Sequence, residues 1–313
     1  MTSDPCLDDA LIRRRSLPPD ARRADWTAPD GWRIRTVSWA PVPGRPSILF
    51  LNGRADFIEK YSESYWHWRA PGYGLFHLDW RGKGGSRGFP AGAGGYFDAW
   101  LADLDGLAER AAAPGGPLVL AGHSMGGHLA LRHLAAGGAA RYRRAVLFAP
   151  MAGIAAHGVP PRVLSWLARA RVKAGVGDAY PPMQGPYGER TRSVHRQRIL
   201  TGDPERFADE GWWIDEDPGL AFGGASWRWI MEASASCDAL AARGVPEAIG
   251  LPVDVFIGDN ERLVDAAAAR RLVQRLPDGR LHVIAGAAHE LLRERSAVQA
   301  DVLAAVDGLM GAL

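Results

Sequence analysis

Short apolar runs recur along this chain with longer helix-patterned stretches between them, and that alternation restricts the fold more than any other feature. Ser47–Leu51 (SILFL) stops at Asn52-Gly53, Leu75–Leu78 (LFHL) at Asp79, and Leu118–Ala121 (LVLA) at Gly122. Ala145–Ala149, Val253–Ile257 and Leu281–Ala285 have the same form. Runs this short, with no polar face, are how strands buried on both sides of a sheet read. Trp32–Trp39 alternates instead, as a strand with one wet face does. Helical patterns fall at about 56–69, 94–113, 125–136, 264–276 and 290–311. Strands alternating with helices predict an α/β chain with a mostly parallel central sheet flanked by helices.

From Met151 to Cys237 the rhythm stops. This segment carries Pro160-Pro161, Pro181-Pro182, an Arg-rich run from Arg190 to Arg198 and the aromatics Trp212, Trp213, Phe222, Trp227 and Trp229. A structureless loop of that length is foreign to a compact domain, so a helical insertion over one end of the sheet is expected. The organisation read from the sequence is a polar arm at 1–30, a core of 31–150 and 238–313, and a cap at 151–237.

The run Leu118–Ala121 leads directly into Gly122-His123-Ser124-Met125-Gly126, and a helical pattern starts at Met125. Gly-x-Ser-x-Gly alone is a weak signal in a chain with 38 glycines. Between a strand and a helix it is the setting a nucleophile elbow requires. Such a turn strains the serine backbone and leaves room only for small neighbours. It aims the hydroxyl past the strand end, and the new helix brings partial positive charge to a nearby oxyanion.

A serine hydroxyl needs a general base. Elbows of this type take their partners in the chain order serine, acid, histidine. Of nine histidines, His289 alone lies in the loop after the last strand-like run, within Ala285-Gly286-Ala287-Ala288-His289-Glu290. His123 adjoins the nucleophile, but its side chain is expected to point away from Ser124; His282 sits inside a strand. The acid should follow Val253–Ile257, where Asp259, Glu261 and Asp265 compete. Spacing does not choose among them. The oxyanion donors expected are the N–H of Met125, just after the nucleophile, and that of Arg54, after the strand that ends at Asn52-Gly53.

Composition narrows the partners. Lys and Arg number 37 against 35 Asp and Glu, a formal net charge of +2, which makes no case for nucleic acid. The basic residues are almost all Arg; only Lys60, Lys83 and Lys173 are lysine. Two cysteines, Cys6 and Cys237, form neither a disulfide framework nor a metal pattern, so a reducing compartment is expected. No leader is expected at Met1–Pro5, and no apolar stretch is long enough to span a bilayer. The expected location is cytoplasmic, with peripheral contact at the inner membrane left open. Oligomeric state is left open as well.

These residues resemble the bacterial lysophospholipases and monoacylglycerol lipases of the α/β-hydrolase superfamily, over most of the chain from about residue 30. Asn52-Gly53-Arg54 with Glu59-Lys60-Tyr61 is similar to that group's oxyanion loop, and Asp79-Trp80-Arg81-Gly82-Lys83-Gly84-Gly85-Ser86 to its Asp-x-Arg-Gly-x-Gly-x-Ser turn. Glu261-Arg262-Leu263-Val264-Asp265 and Gly286-Ala287-Ala288-His289-Glu290 are similar to its acid and histidine loops. The resemblance implies Glu261 as the acid, with Asp259 the alternative, and leans to the lysophospholipase type. It implies cleavage of a lipid or small-molecule ester with no metal or organic cofactor, and Trp212, Trp213, Phe222, Trp227 and Trp229 as walls of an acyl channel. The same triad would serve acyl transfer, short esters or peptides, since a fold does not fix a reaction. A catalytically silent binding protein would be expected to carry a broken triad.

Overall fold

The computed structural model describes residues 5–87, 96–112, 114–155 and 158–313. Eight strands form one sheet: β1 (Arg22–Thr27), β2 (Arg33–Trp39), β3 (Ser47–Leu51), β4 (Gly74–Leu78), β5 (Leu118–His123), β6 (Arg144–Phe148), β7 (Val253–Gly258) and β8 (Gly279–Ile284). Their order is β1-β2-β4-β3-β5-β6-β7-β8. β1 and β2 are antiparallel to their neighbours, and every pairing from β4 to β8 is parallel.

Period-two alternation sorts each apolar run between the two faces of the sheet. Leu49 and Leu51 of β3 join Leu120, Leu147 and Val255 on one face, under α3 (Tyr96–Ala112) and α4 (Met125–Ala135). Ile48 and Phe50 join Val119, Val146 and Phe256 on the other, under α2 (Ser62–Arg69) and α10 (Ser296–Gly311). Both faces are covered, which is why these strands read as unbroken apolar runs. α9 (Ala266–Val273) lies between β7 and β8 in the chain, so all five expected helical stretches contain helices. Residues 94, 95 and 113 of the second stretch lie outside the described residues.

Two expectations need correction. The arm at 1–30 contains α1 (Pro5–Arg15) and β1, and β1 pairs with β2 along its whole length. β1 reads RRADWT and is largely exposed at the sheet edge. An edge strand held by backbone bonds needs no apolar pattern, so hydrophobic reading passes over it. The cap boundary drawn at 237/238 falls inside α8 (Trp227–Ala241). That helix packs Ala233, Cys237 and Leu240 into the main core, while Trp227 and Ile230 pack on α5 (Pro161–Lys173) through Ala168. The inserted segment is helical as expected, with α6 (Val194–Leu200) and α7 (Pro204–Glu216) between those two helices. Ser193, Asp203 and Ser226 cap α6, α7 and α8 with side-chain oxygens.

Several imidazoles are sealed inside the protein. His77 on β4, His123 on β5 and His128 on α4 are all buried. His128 accepts a bond from the Ser236 hydroxyl at Nε2 (2.7 Å) and donates from Nδ1 to the Met151 carbonyl (2.9 Å). Burial pushes His77 and His128 down to about 3, and burial with the nearby His289 charge pushes His123 down to about 4. The unfolded chain takes up these protons near pH 6.5, so between about pH 6.5 and 4 it binds more protons than the folded one and stability falls as pH falls. Urea unfolding is expected to show a loss of up to ~4 kcal/mol per pH unit in that window. A flat stability between pH 7 and 5 would contradict neutral burial of these rings.

Candidate active site

Ser124 stands between the end of β5 and the first turn of α4 with φ 53° and ψ −116°. A non-glycine residue accepts this conformation only when its surroundings hold it there. Its N–H donates to the Phe148 carbonyl at 2.9 Å, and its carbonyl accepts from the N–H groups of His128 and Met151, both at 3.0 Å. The glycines on either side are required by contact. A Cβ on Gly126 would lie 2.2 Å from the Leu51 carbonyl oxygen, and one on Gly122 would lie 2.9 Å from the backbone of Gly126. The elbow is therefore pressed against the end of β3, where Asn52-Gly53-Arg54 begins. Met125 supplies the first amide of α4, and a first-turn amide has no helical acceptor behind it.

His289 lies in the loop after β8 and is 2% exposed. Its Nδ1 is 2.7 Å from Glu261 Oε2. A carboxylate only accepts, so Nδ1 carries the proton and Nε2 is left to act as a base. The ring also rests on His123, the residue before Ser124, with centroids 4.7 Å apart. His123 is thus packed against the candidate base, which sequence reading did not foresee.

The three competing carboxylates separate cleanly. Glu261 holds His289 through Oε2, and its Oε1 accepts from the amides of Leu263 (2.6 Å) and Val264 (3.0 Å). Burial alone would raise its carboxyl, but the His289 charge and these donors outweigh burial and hold it below the usual glutamate value. Asp259 accepts from the Gly286 amide at 2.8 Å and so braces the histidine loop from behind. Asp265 caps α9 through the Ala268 amide at 2.9 Å. The segments that carry Ser124, Glu261 and His289 follow the C-terminal ends of the parallel strands β5, β7 and β8.

Beneath the site lies a buried charge network. Lys60 Nζ is 2.7 Å from each of Asp56 Oδ1, Glu210 Oε2 and Glu290 Oε1. Asp56 Oδ2 accepts from the Gly53 amide (2.8 Å) and the Tyr61 hydroxyl (2.7 Å), which folds the loop after β3 back on itself. Glu290 also meets Arg293 at 2.6 Å. Burial opposes charge on Lys60, but its three carboxylates hold the ammonium above the ordinary lysine range. Burial likewise opposes ionisation of Glu290, yet Lys60 and Arg293 bring its carboxyl down to about 2. The sequence drew attention to Lys60, Tyr61 and Glu290 as parts of loops but gave no sign that they meet; Asp56, Glu210 and Arg293 were passed over.

The cap aromatics divide. Phe222 and Trp229 line a cavity of about 370 Å³ together with Arg54 and Lys83. Trp212 packs on Arg15 (4.9 Å to the ring centroid) and on Trp213, whose indole N–H donates to the Arg14 carbonyl at 3.2 Å. Trp227 packs between α5 and α8. These three pack the insertion against its neighbours and do not line that cavity. No cluster of His, Cys, Asp and Glu that could hold a metal is found among the described residues. No helix among them is long and apolar enough to cross a membrane.

Comparison with known proteins agrees with this architecture. The family model described as serine aminopeptidase, S33, matches residues 43–296. The probable lysophospholipase L2 of Haemophilus influenzae is 26% identical over 276 residues, covering 84% of this chain and 83% of that protein. Lysophospholipase L2 of Escherichia coli K12 is 25% identical over 304 residues, covering 90% and 85%. A soluble variant of monoglyceride lipase from Saccharomyces cerevisiae, solved with a substrate analog, superposes with a TM-score of 0.73 at 18% identity, covering 96% of this chain and 97% of that one. The chain belongs to the serine aminopeptidase S33 family and has the α/β-hydrolase fold.

Removing the Lys60 ammonium leaves Asp56, Glu210 and Glu290 facing one another without their shared cation. Lys60→Met is expected to destabilise the protein by about 3–5 kcal/mol in urea unfolding, the usual cost of stripping one partner from a buried ion pair. A loss under about 1 kcal/mol would show that the network contributes little.

Proposed function

We propose that this protein is a serine hydrolase that cleaves carboxylic esters of lipids, lysophospholipids or monoacylglycerols, through an acyl-enzyme intermediate. The observation that carries this reading is the Glu261–His289 pair at 2.7 Å, packed beside the strained Ser124 elbow. The substrate class is supported by the two bacterial relatives, which bear the names lysophospholipase L2 and probable lysophospholipase L2.

In the proposed reaction, Ser124 Oγ attacks the ester carbonyl carbon while His289 Nε2 takes its proton. Glu261 keeps Nδ1 protonated and stabilises the imidazolium that forms. The amides of Met125 and Arg54 receive the oxyanion; one such donor is typically worth about 3 kcal/mol of barrier. The intermediate expels the glyceryl oxygen, which takes its proton from His289. Water activated by His289 then adds to the acyl-enzyme, releases the fatty acid and restores Ser124. The groups involved are side chains and backbone amides of this chain. We place the protein in the cytoplasm with peripheral access to membrane lipid; the buried thiol of Cys237 is consistent with a reducing compartment.

A fluorophosphonate probe is expected to label the wild type and not Ser124→Ala; labelling of the alanine variant would refute the nucleophile. Glu261→Gln should lower kcat on the order of a thousandfold. Asp259→Asn, which only weakens a loop brace, should cost less than about tenfold. The reverse ranking would move the acid role to Asp259. Cleavage of long-chain p-nitrophenyl esters in preference to acetate separates a lipid hydrolase from a short-chain esterase.

A further inference from the structure

A second pair of cations, unused in the ester chemistry, meets in the cavity beside the oxyanion loop. The Arg54 side chain enters it from that loop, and the other walls come from the 81–83 turn, the start of α3 and two stretches of the inserted segment, 178–180 and 222–229. Lys83 is 6% exposed, and its Nζ stands 3.5 Å from the Phe222 ring centroid and 5.5 Å from that of Trp100. The Arg54 guanidinium lies 5.4 Å from the rings of both Phe222 and Trp229. Its Nη1 donates to the carbonyls of Gly223 (2.9 Å) and Gly224 (3.2 Å).

Among the described residues no carboxylate pairs with either cation. The acidic wall residue, Asp178, is 2.9 Å from Arg228, and the third basic wall residue, Arg81, is paired with Asp30 and Asp103. Ring faces offset only part of the cost of burying an ammonium. Burial, then the Arg54 charge, holds the Lys83 ammonium well below the ordinary lysine range, and burial brings Arg54 down to about 10. Both cations donate hydrogen bonds and neither has a carboxylate beside it among the described residues, so an anion is the ligand that best satisfies this cavity. A phosphate suits it: arginine meets two of its oxygens in a fork, and lysine supplies a point charge.

Arg54 ties the cavity to the chemistry, because its amide is the proposed oxyanion donor and its guanidinium reaches the cavity. The covalent path from an ester carbonyl carbon through glycerol to phosphorus is about as long as that from an arginine amide nitrogen to its guanidinium. We propose that the cavity is a head-group subsite in which Arg54 and Lys83 bind the phosphate of a lysophospholipid while its acyl ester faces Ser124. This rests on the ester-hydrolase reading and adds a selectivity to it: phosphate-bearing lipids are preferred over monoacylglycerols of the same chain length. Free inorganic phosphate shares the chemistry, so the test separates the two sources.

Calorimetric titration of glycerol 3-phosphate and inorganic phosphate into the full-length Ser124→Ala protein examines the cavity without turnover. Saturable binding of glycerol 3-phosphate is expected, weakened at least about tenfold by Lys83→Met and largely kept by Lys83→Arg, with inorganic phosphate weaker. No saturable binding, equal binding by the Lys83→Met protein, or inorganic phosphate binding as tightly as the ester overturns the assignment. Hydrolysis then tests selectivity, with kcat/KM measured on lysophosphatidylglycerol and on monoacylglycerol of the same acyl chain. Their ratio should fall at least about tenfold in Lys83→Met, mainly through KM on the phospholipid, and recover in Lys83→Arg. An unchanged ratio, or an equal loss on both substrates, refutes the subsite. If the wild type cleaves neither ester, the hydrolase reading fails and the titration alone decides the cavity.

Discussion

One buried ammonium joins the three parts of the chain that the site needs. Lys60 reaches Asp56 in the loop after β3, Glu290 beside His289, and Glu210 on α7 of the insertion, each at 2.7 Å. These segments lie far apart in sequence and meet only when the sheet brings its strand ends together. A buried ammonium held by three carboxylates is satisfied in one arrangement of the three pieces and in few others. The bonds that Asp56 makes to Gly53 and Tyr61 extend this control to the loop after β3 that carries Arg54.

The sheet and the elbow were legible because their residues obey local rules. Ile48, Phe50, Leu49 and Leu51 must be apolar to fill both faces of β3, and Gly122 and Gly126 must be small to let the elbow meet Leu51. Strand β1 was not legible, since an edge strand draws its stability from backbone pairing and its side chains face water. The order of serine, acid and histidine could be read from loop positions. The choice among Asp259, Glu261 and Asp265 could not, because all three lie in one loop and differ only in which donor each meets.

The aromatic residues of the insertion show a related limit. Composition marks Trp212, Trp213, Trp227, Trp229 and Phe222 as one cluster, but packing splits them between helix contacts and the cavity. What distinguishes the last two is the company of Arg54 and Lys83, contributed by distant loops. A usable sign was present in composition: in a chain that otherwise uses arginine, two of its three lysines are buried beside the site.

Helix α8 has a mechanical consequence. Its first turns belong to the insertion and its last turns to the core, with Trp227 and Ile230 at one end and Ala233, Cys237 and Leu240 toward the other. A roof anchored by a continuous rod cannot swing about its C-terminal junction without tearing that rod from the sheet layer beneath. Any motion that widens the space under this roof is therefore left to the segments before α8, while the back of the roof stays fixed.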